Sequence, residues 1–264
     1  MLLAVDIGNT NVVLGAIEGA ECRCFWRLSS DTRRPADEYA ALLFRLFEMD
    51  GVDARSFNGA VVGSVVPALS GVFDAALRRT TGIAPFHVTH ESRLPVRNGY
   101  RNPTEVGIDR LANAAAAVKF LGAPVLVVDL GTAVTVDVVS RRREYLGGAI
   151  LPGIEMSAEA LARRTARLPV TSPDDAGPMI GRTTADSIRS GILHGLVGAV
   201  DRIIEGIWAE LGYTTATIAT GGLAAYLTAR SRHVRRVERD LTLVGLAAIW
   251  RLNTRNSRGK PKKN

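Results

Sequence analysis

Two short stretches carry residue types that could serve a polyphosphate. The first is Asp6-Ile7-Gly8-Asn9-Thr10-Asn11, which runs on into Val12 and Val13. A glycine lets backbone N–H groups approach anionic oxygens, and Asn and Thr side chains add donors. A carboxylate can hold a cation, often through water, and Asp6 would serve magnesium in that way. The second stretch, Asp129-Leu130-Gly131-Thr132, repeats the design. Each could be an ordinary polar hairpin whose Asp bonds its own turn, but the recurrence favours a ligand. A third candidate is Asp109 beside Arg110. Taken alone, that pair reads as a structural ion pair at a helix start, with Asp109 as N-cap. The Gly-x-x-x-x-Gly-Lys-Ser/Thr and Gly-x-Gly-x-x-Gly patterns are absent, so neither a Walker-type nor a Rossmann site is expected.

The elements that must position these residues also come in pairs. Residues 2–17, LLAVDIGNTNVVLGAI, and 125–139, VLVVDLGTAVTVDVV, each predict strand, tight Gly turn, strand. Residues 60–69, AVVGSVVPAL, lead into the helical pattern SGVFDAALRRT, and residues 217–227, TIATGGLAAYL, lead into another helix. Each of these predicts a strand ending in a Gly turn at a helix N-terminus, a ready anion or nucleotide site. Two pairs in the same order imply a duplication: two α/β domains facing one cleft. Residues 110–121, RLANAAAAVKFL, predict a helix between the halves, with a boundary near Gly122 and Pro124. The first domain is expected over 1–117 and the second over 118–254.

Ile188, Ile192, Leu196, Val200, Ile203, Ile207 and Leu211 recur at helical spacing. They predict a long amphipathic helix over 187–211, with Thr183 or Thr184 as N-cap. Its apolar stripe suits either a dimer or the domain's own core. Pro169, Pro173 and Pro178 with several acids predict a loop over 163–183. Gly147-Gly148 with Pro152-Gly153 reads as a turn, and Asp137, without a counterpart in the first half, as facing the cleft or solvent.

With 264 residues, 47% of them hydrophobic, the chain can bury one large core or two medium ones. No run approaches the ~18 to 20 apolar residues of a membrane span. The start, MLLAVDIGNTN, lacks a basic region and reaches an acid at Asp6, so a cytoplasmic protein is expected. Of the formal +7, Arg255, Arg258, Lys260, Lys262 and Lys263 supply five charges, leaving about +2 elsewhere. Residues 255–264 therefore read as a solvated, disordered basic tail, and neither nucleic acid nor membrane is an expected partner. Cys22 and Cys24 fall on one face of a strand, with no second pair to complete a zinc site. His87 and His90 have no evident helix to align them as ligands.

The DIGNTN and DLGTA turns resemble the two phosphate motifs of the acetate-kinase, sugar-kinase and actin superfamily. Between them stands Asn98-Gly-Tyr100-Arg-Asn-Pro103-Thr-Glu-Val-Gly107-Ile108-Asp109-Arg110. After them come Gly147-Gly148-Ala-Ile-Leu-Pro152-Gly153, Ile180-Gly181-Arg-Thr-Thr184 and Ala219-Thr220-Gly221-Gly222. In order and spacing this resembles type III pantothenate kinase over essentially residues 1–250. Tyr-x-Asn-Pro-x-x-x-Gly-x-Asp-Arg is the specific part, because other superfamily members lack it.

That resemblance implies an α/β fold of two duplicated actin-like (ribonuclease H-like) domains, with mixed sheets flanked by helices and the ATP cleft between them. It implies ATP-dependent phosphorylation of pantothenate to 4'-phosphopantothenate, the first step of coenzyme A synthesis, by a homodimer. Magnesium and a monovalent cation, potassium or ammonium, are the implied cofactors. Asp109 is then the general base. Gly107, Ile108 and Arg110 sit against pantothenate, Tyr100 lines the pocket, and Thr184 reaches it across the subunit interface. Asp6 to Val13 hold the phosphates with Thr132, Asp129 binds the monovalent cation, and Gly221 and Gly222 lie near the adenosine. Ile108 departs from the family pattern, where a small Ala or Val is usual. The chemistry is coherent: phosphoryl transfer needs positioning and charge neutralisation, and a carboxylate within hydrogen-bond reach suffices for an alcohol. Arg110 beside Asp109 favours the ionised carboxylate, and its guanidinium can fork onto a substrate carboxylate. The competing expectations are a kinase for another small alcohol or acid, or a non-enzymatic accessory protein on the same fold.

Overall fold

A computed structural model describes residues 1–19, 21–164 and 177–254. The expected basic tail and residues 165–176 of the expected loop lie outside the described residues. In chain order the elements are β1 (Leu2–Ile7), β2 (Asn11–Glu18), β3 (Glu21–Ser29), α1 (Ala36–Met49), β4 (Gly59–Ser64), α2 (Pro67–Thr81), β5 (Phe86–His87), β6 (Arg97–Asn98) and α3 (Ile108–Leu121). There follow β7 (Val125–Leu130), β8 (Ala133–Val139), β9 (Glu144–Pro152), α4 (Ile154–Arg164), α5 (Thr184–Leu211), β10 (Ala216–Gly221), α6 (Ala224–Arg230) and α7 (Leu241–Thr254). The chain divides into two units. One holds Met1–Phe120, Arg143–Tyr145 and the chain from Asp240; the other holds Leu121–Arg142 and Leu146–Arg239.

The first unit is built on a mixed sheet of order β3-β2-β1-β4-β5. β1 pairs antiparallel with β2 and parallel with β4, so Asp6 has Val13 on one side and Gly63 on the other. Alternate residues of a strand point to opposite faces. Leu3, Val5 and Ile7 therefore share one face, where they meet Tyr39, Leu43 and Phe47 of α1 and Leu69, Phe73 and Leu77 of α2. Each such buried side chain contributes roughly 1.5–3 kcal/mol; truncating Phe73, fully buried, to Ala would cost about 3–5 kcal/mol.

Asp6 lies on the opposite face, and glycines set how closely helices cover it. A Cβ on Gly59 would meet Trp250, one on Gly15 would meet Leu243, and one on Gly63 would meet Leu246 and Ile108. Gly245 of α7 in turn lies against the Ala112 backbone of α3. Gly63 is thus a packing residue inside β4, not part of a turn. The expected Gly turn before α2 is instead Ser64–Val66, with Pro67 opening the helix. α7 is counted with the first unit, although residues 118–254 read from the sequence as one domain, because these side chains bury its apolar face on β1, β2 and β4.

The second unit repeats the three-strand motif. β7 pairs antiparallel with β8 and parallel with β10, so Asp129 stands between Thr135 and Thr220. β9 follows β8 in the sheet. The expectation of mixed sheets flanked by helices, duplicated in each half, holds. Leu126, Val128 and Leu130 point to the face where α5 lays Leu193, Leu196, Val200 and Ile204. The apolar stripe of the long helix is therefore core of its own unit. Gly147 and Gly148 lie within β9 rather than in a turn, with Gly148 pressed on the Val136 carbonyl.

Candidate active site

In the first unit the site starts from the β1–β2 turn. The Gly8 N–H donates to the Asn11 carbonyl at 3.0 Å, closing the turn. The Ser30 hydroxyl donates to the Gly8 carbonyl at 2.6 Å and the Ser30 N–H to the Thr10 carbonyl at 3.0 Å. Ser30 therefore braces the turn from outside, which the motif itself does not disclose. Asn9 and Thr10 are exposed, while Asp6, Gly8, Asn11 and Val13 are half-buried. Ile7 and Val12 are core residues, so only their backbone can face a ligand.

α3 begins beside the same face of the sheet. The Arg110 N–H donates to Asp109 Oδ1 at 2.8 Å, and Asp109 Oδ1 also fills the space a Cβ on Gly107 would take. Asp109 stands inside the first turn of α3 rather than at its N-cap. Val65 joins this segment to the turn: its N–H donates to the Ile7 carbonyl at 3.0 Å, and its Cγ1 lies 3.5 Å from a Cβ position on Gly107. Nothing in the spacing of Val65 announces that role. His90 Nε2 lies 2.9 Å from the Val106 carbonyl, and His87 Nε2 lies 2.6 Å from Asp74 Oδ1.

The segment before α3 is held by its own side chains. Asn98 Oδ1 accepts from the Tyr100 N–H at 3.1 Å, and Asn98 Nδ2 donates to the Pro103 carbonyl at 3.0 Å. Asn102 Nδ2 donates to Glu105 Oε1 at 2.8 Å. The Tyr100 ring lies 6.2 Å from that of Tyr145, and the Arg110 guanidinium lies 5.9 Å from the same Tyr145 ring. Tyr145 is fully buried. Tyr100, Gly107, Ile108, Asp109 and Arg110 are thus brought together on one side of the first unit, in line with the motif.

In the second unit the Gly131 N–H donates to the Ala133 carbonyl at 3.1 Å, closing the β7–β8 turn and leaving Thr132 exposed. Gly153 packs on the carbonyls of Gly131 and Thr132 from behind. Gly221 has φ +93°, a conformation an L side chain rarely adopts, and lies against the Leu130 backbone. Asp137 is buried, not solvent-facing, and accepts the Thr135 hydroxyl at 2.9 Å. Thr183 is the N-cap of α5, its Oγ1 accepting from the Asp186 N–H at 3.1 Å. Thr184 is left as the exposed first helical residue.

Fold and turns define an actin-like α/β architecture. It is shared with an activator of 2-hydroxyisocaproyl-CoA dehydratase from Clostridium difficile, solved with bound ADPNP: TM-score 0.52, 12% identity, covering 100% of this chain and 99% of that one. It is also shared with a ROK family glucokinase from Streptomyces griseus: TM-score 0.51, 14% identity, covering 93% and 97%. The sequence profile of type III pantothenate kinase matches residues 2–206. The type III pantothenate kinase of Moorella thermoacetica is 40% identical over 256 residues, covering 96% of this chain and 100% of the relative. That of Myxococcus xanthus is 42% identical over 253 residues, covering 96% and 99%. The chain belongs to the type III pantothenate kinase family.

Proposed function

We propose that the protein transfers the terminal phosphoryl group of ATP to the terminal hydroxyl of pantothenate, giving 4'-phosphopantothenate for coenzyme A synthesis. Family membership across nearly the whole chain is the observation that carries this reading. The gathering of Tyr100, Gly107, Asp109 and Arg110 beside the Asp6 face supports it.

Asp109 takes the proton of the attacking hydroxyl. Arg110 receives the pantothenate carboxylate as a fork, which fixes the far end of the acceptor and aims the hydroxyl. Backbone donors from Asp6 to Val13 and the Thr132 hydroxyl bind phosphate oxygens, and Gly221 and Gly222 admit the adenosine closely. Ile108 contributes backbone to the acceptor pocket. Magnesium, when bound, neutralises charge on the phosphates.

The donor sets suit these ions. Asp6 supplies one half-buried carboxylate, which fits magnesium that keeps waters and takes phosphate oxygens. Among the described residues no group of three or more His, Cys, Asp or Glu could hold a metal by itself. Asp129, with the hydroxyl residues Thr135 and Thr220 as register partners, offers oxygens to potassium or ammonium.

The working protein is a cytoplasmic homodimer in which Thr184 of the partner subunit completes each acceptor pocket. Because the apolar stripe of α5 is spent on its own core, the dimer uses the other face. There an open groove of about 500 Å³ is lined by Met179, Gly181, Ser187, Gly191 and His194, with Ile180 79% exposed beside it. No helix among the described residues is long and apolar enough to cross a membrane.

The test is ADP release with ATP, magnesium, potassium and pantothenate, beside Asp109→Asn. Asn keeps an Oδ1 acceptor for the Arg110 N–H, so the helix start should survive. Turnover only with pantothenate, reduced about 10² to 10⁴-fold in the variant, supports both substrate and base. No pantothenate-dependent turnover with potassium or ammonium sinks the substrate and brings the accessory-protein reading forward.

A further inference from the structure

Tyr145 has no place in the motif, yet its surroundings single it out. The chain at Arg143–Tyr145 adds a short parallel bridge to the acceptor segment, with Arg97 opposite Glu144 and Asn98 opposite Tyr145. The Arg97 N–H donates to the Arg143 carbonyl at 2.9 Å and the Gly99 N–H to the Tyr145 carbonyl at 2.9 Å. Glu144 Oε1 holds Arg97 Nη2 at 2.6 Å, and the Glu144 side chain fills the space a Cβ on Gly99 would need. The backbone of Tyr145 is therefore fixed directly ahead of Tyr100.

The side chain of Tyr145 reaches both ends of the motif. Its fully buried ring lies 6.2 Å from the Tyr100 ring, at a tilt of 46°, and 5.9 Å from the Arg110 guanidinium. Aromatic pairs at 4.5–7 Å and a guanidinium within about 6 Å of a ring face attract. A flat cation against a fixed ring loses rotamers it would sample in water. Its fork is then pre-set for a planar carboxylate, and less ordering remains to be done on binding.

We infer that Tyr145 is a positioning residue for the acceptor: its ring sets the Arg110 fork and the Tyr100 wall, and so tunes affinity for the carboxylate end of the substrate. The inference rests on the proposed pantothenate kinase reading. Tyr145 itself touches no reacting atom.

The experiment compares wild type, Tyr145→Phe and Tyr145→Leu, with KM for pantothenate, KM for ATP, kcat and thermal unfolding measured on each. Tyr145→Leu removes the ring and should raise the pantothenate KM about 10-fold, with the ATP KM within about 2-fold of wild type. Tyr145→Phe keeps the ring and should restore the pantothenate KM. If the Leu variant does not fold, Tyr145→Met, closer in length, takes its place. An unchanged pantothenate KM without the ring overturns the inference, as does a parallel rise in both KM values, which marks a merely structural role. A Phe variant as impaired as the Leu variant also overturns it, because the ring would then not be the cause. Failure of wild type to use pantothenate sinks the functional reading instead, so the two failures are distinguishable.

Discussion

Ile108 rests on Gly63. Its Cγ2 lies 3.2 Å from where a Cβ on Gly63 would stand, and Gly63 is the register partner of Asp6. The Ile108 side chain is thereby turned onto the sheet and is 6% exposed. It anchors the start of α3 on the face that also bears Asp6.

Gly63→Val should consequently disturb structure and activity together. A branched side chain there meets Ile108 and the Leu246 methyls, of which Cδ2 lies 2.7 Å from the Cβ position. Overpacking of this kind costs about 1–3 kcal/mol. Thermal denaturation should show the loss, and turnover at saturating substrate should fall more than stability alone explains, because Asp109 moves with Ile108.

Gly221 and Gly222 should differ sharply. A Cβ on Gly221 meets the Leu130 backbone at φ +93°, whereas one on Gly222 meets nothing within 4 Å. Gly221→Ala should cost about 1–3 kcal/mol and raise the ATP KM; Gly222→Ala should cost less than about 1 kcal/mol. Urea denaturation of both variants checks the contrast. Equal losses would mean that backbone conformation is not the determinant.

The two threonines that open α5 separate cap from contact. Thr183→Ala removes the acceptor of the Asp186 N–H and should cost about 1 kcal/mol of stability. Thr184→Ala should leave the melting temperature nearly unchanged while raising the pantothenate KM. The reverse pattern would assign Thr184 to the helix alone.

Acid stability should depend in part on Glu205. The hydrogen bond from His233 Nε2 at 3.0 Å, with Arg232 nearby, holds the Glu205 carboxyl below its ordinary value. A depressed carboxyl contributes stability that is fully present above its unfolded value and is lost as pH falls through its folded value. Glu205→Gln should therefore lower the melting temperature slightly at neutral pH, and the difference from wild type should vanish in acid. A difference that is constant across that range would assign the loss to packing.

How much of this was legible beforehand varies element by element. The Asp-x-Gly hairpins were readable because both the turn and the apolar runs flanking it are local. α5 was readable from helical periodicity, and its N-cap from the threonines. Gly63 was misread as a turn residue because Gly inside a strand and Gly ending one look alike; Leu246 and Ile108, both far along the chain, distinguish them. Gly147 and Gly148 were misread for the same reason.

The sequence by itself determined which residues are candidates for the chemistry: Asp6, Asp109, Arg110 and Asp129 stand in motifs whose types and spacing are local. Tertiary structure alone decided what surrounds them. Val65 behind Gly107, Ser30 under the Gly8 turn, Tyr145 against Arg110 and α7 on the first sheet all join segments far apart in the chain. The physical reason is that close packing is set by which side chains meet across the fold. Periodicity reports only that a face is apolar, not which partner covers it.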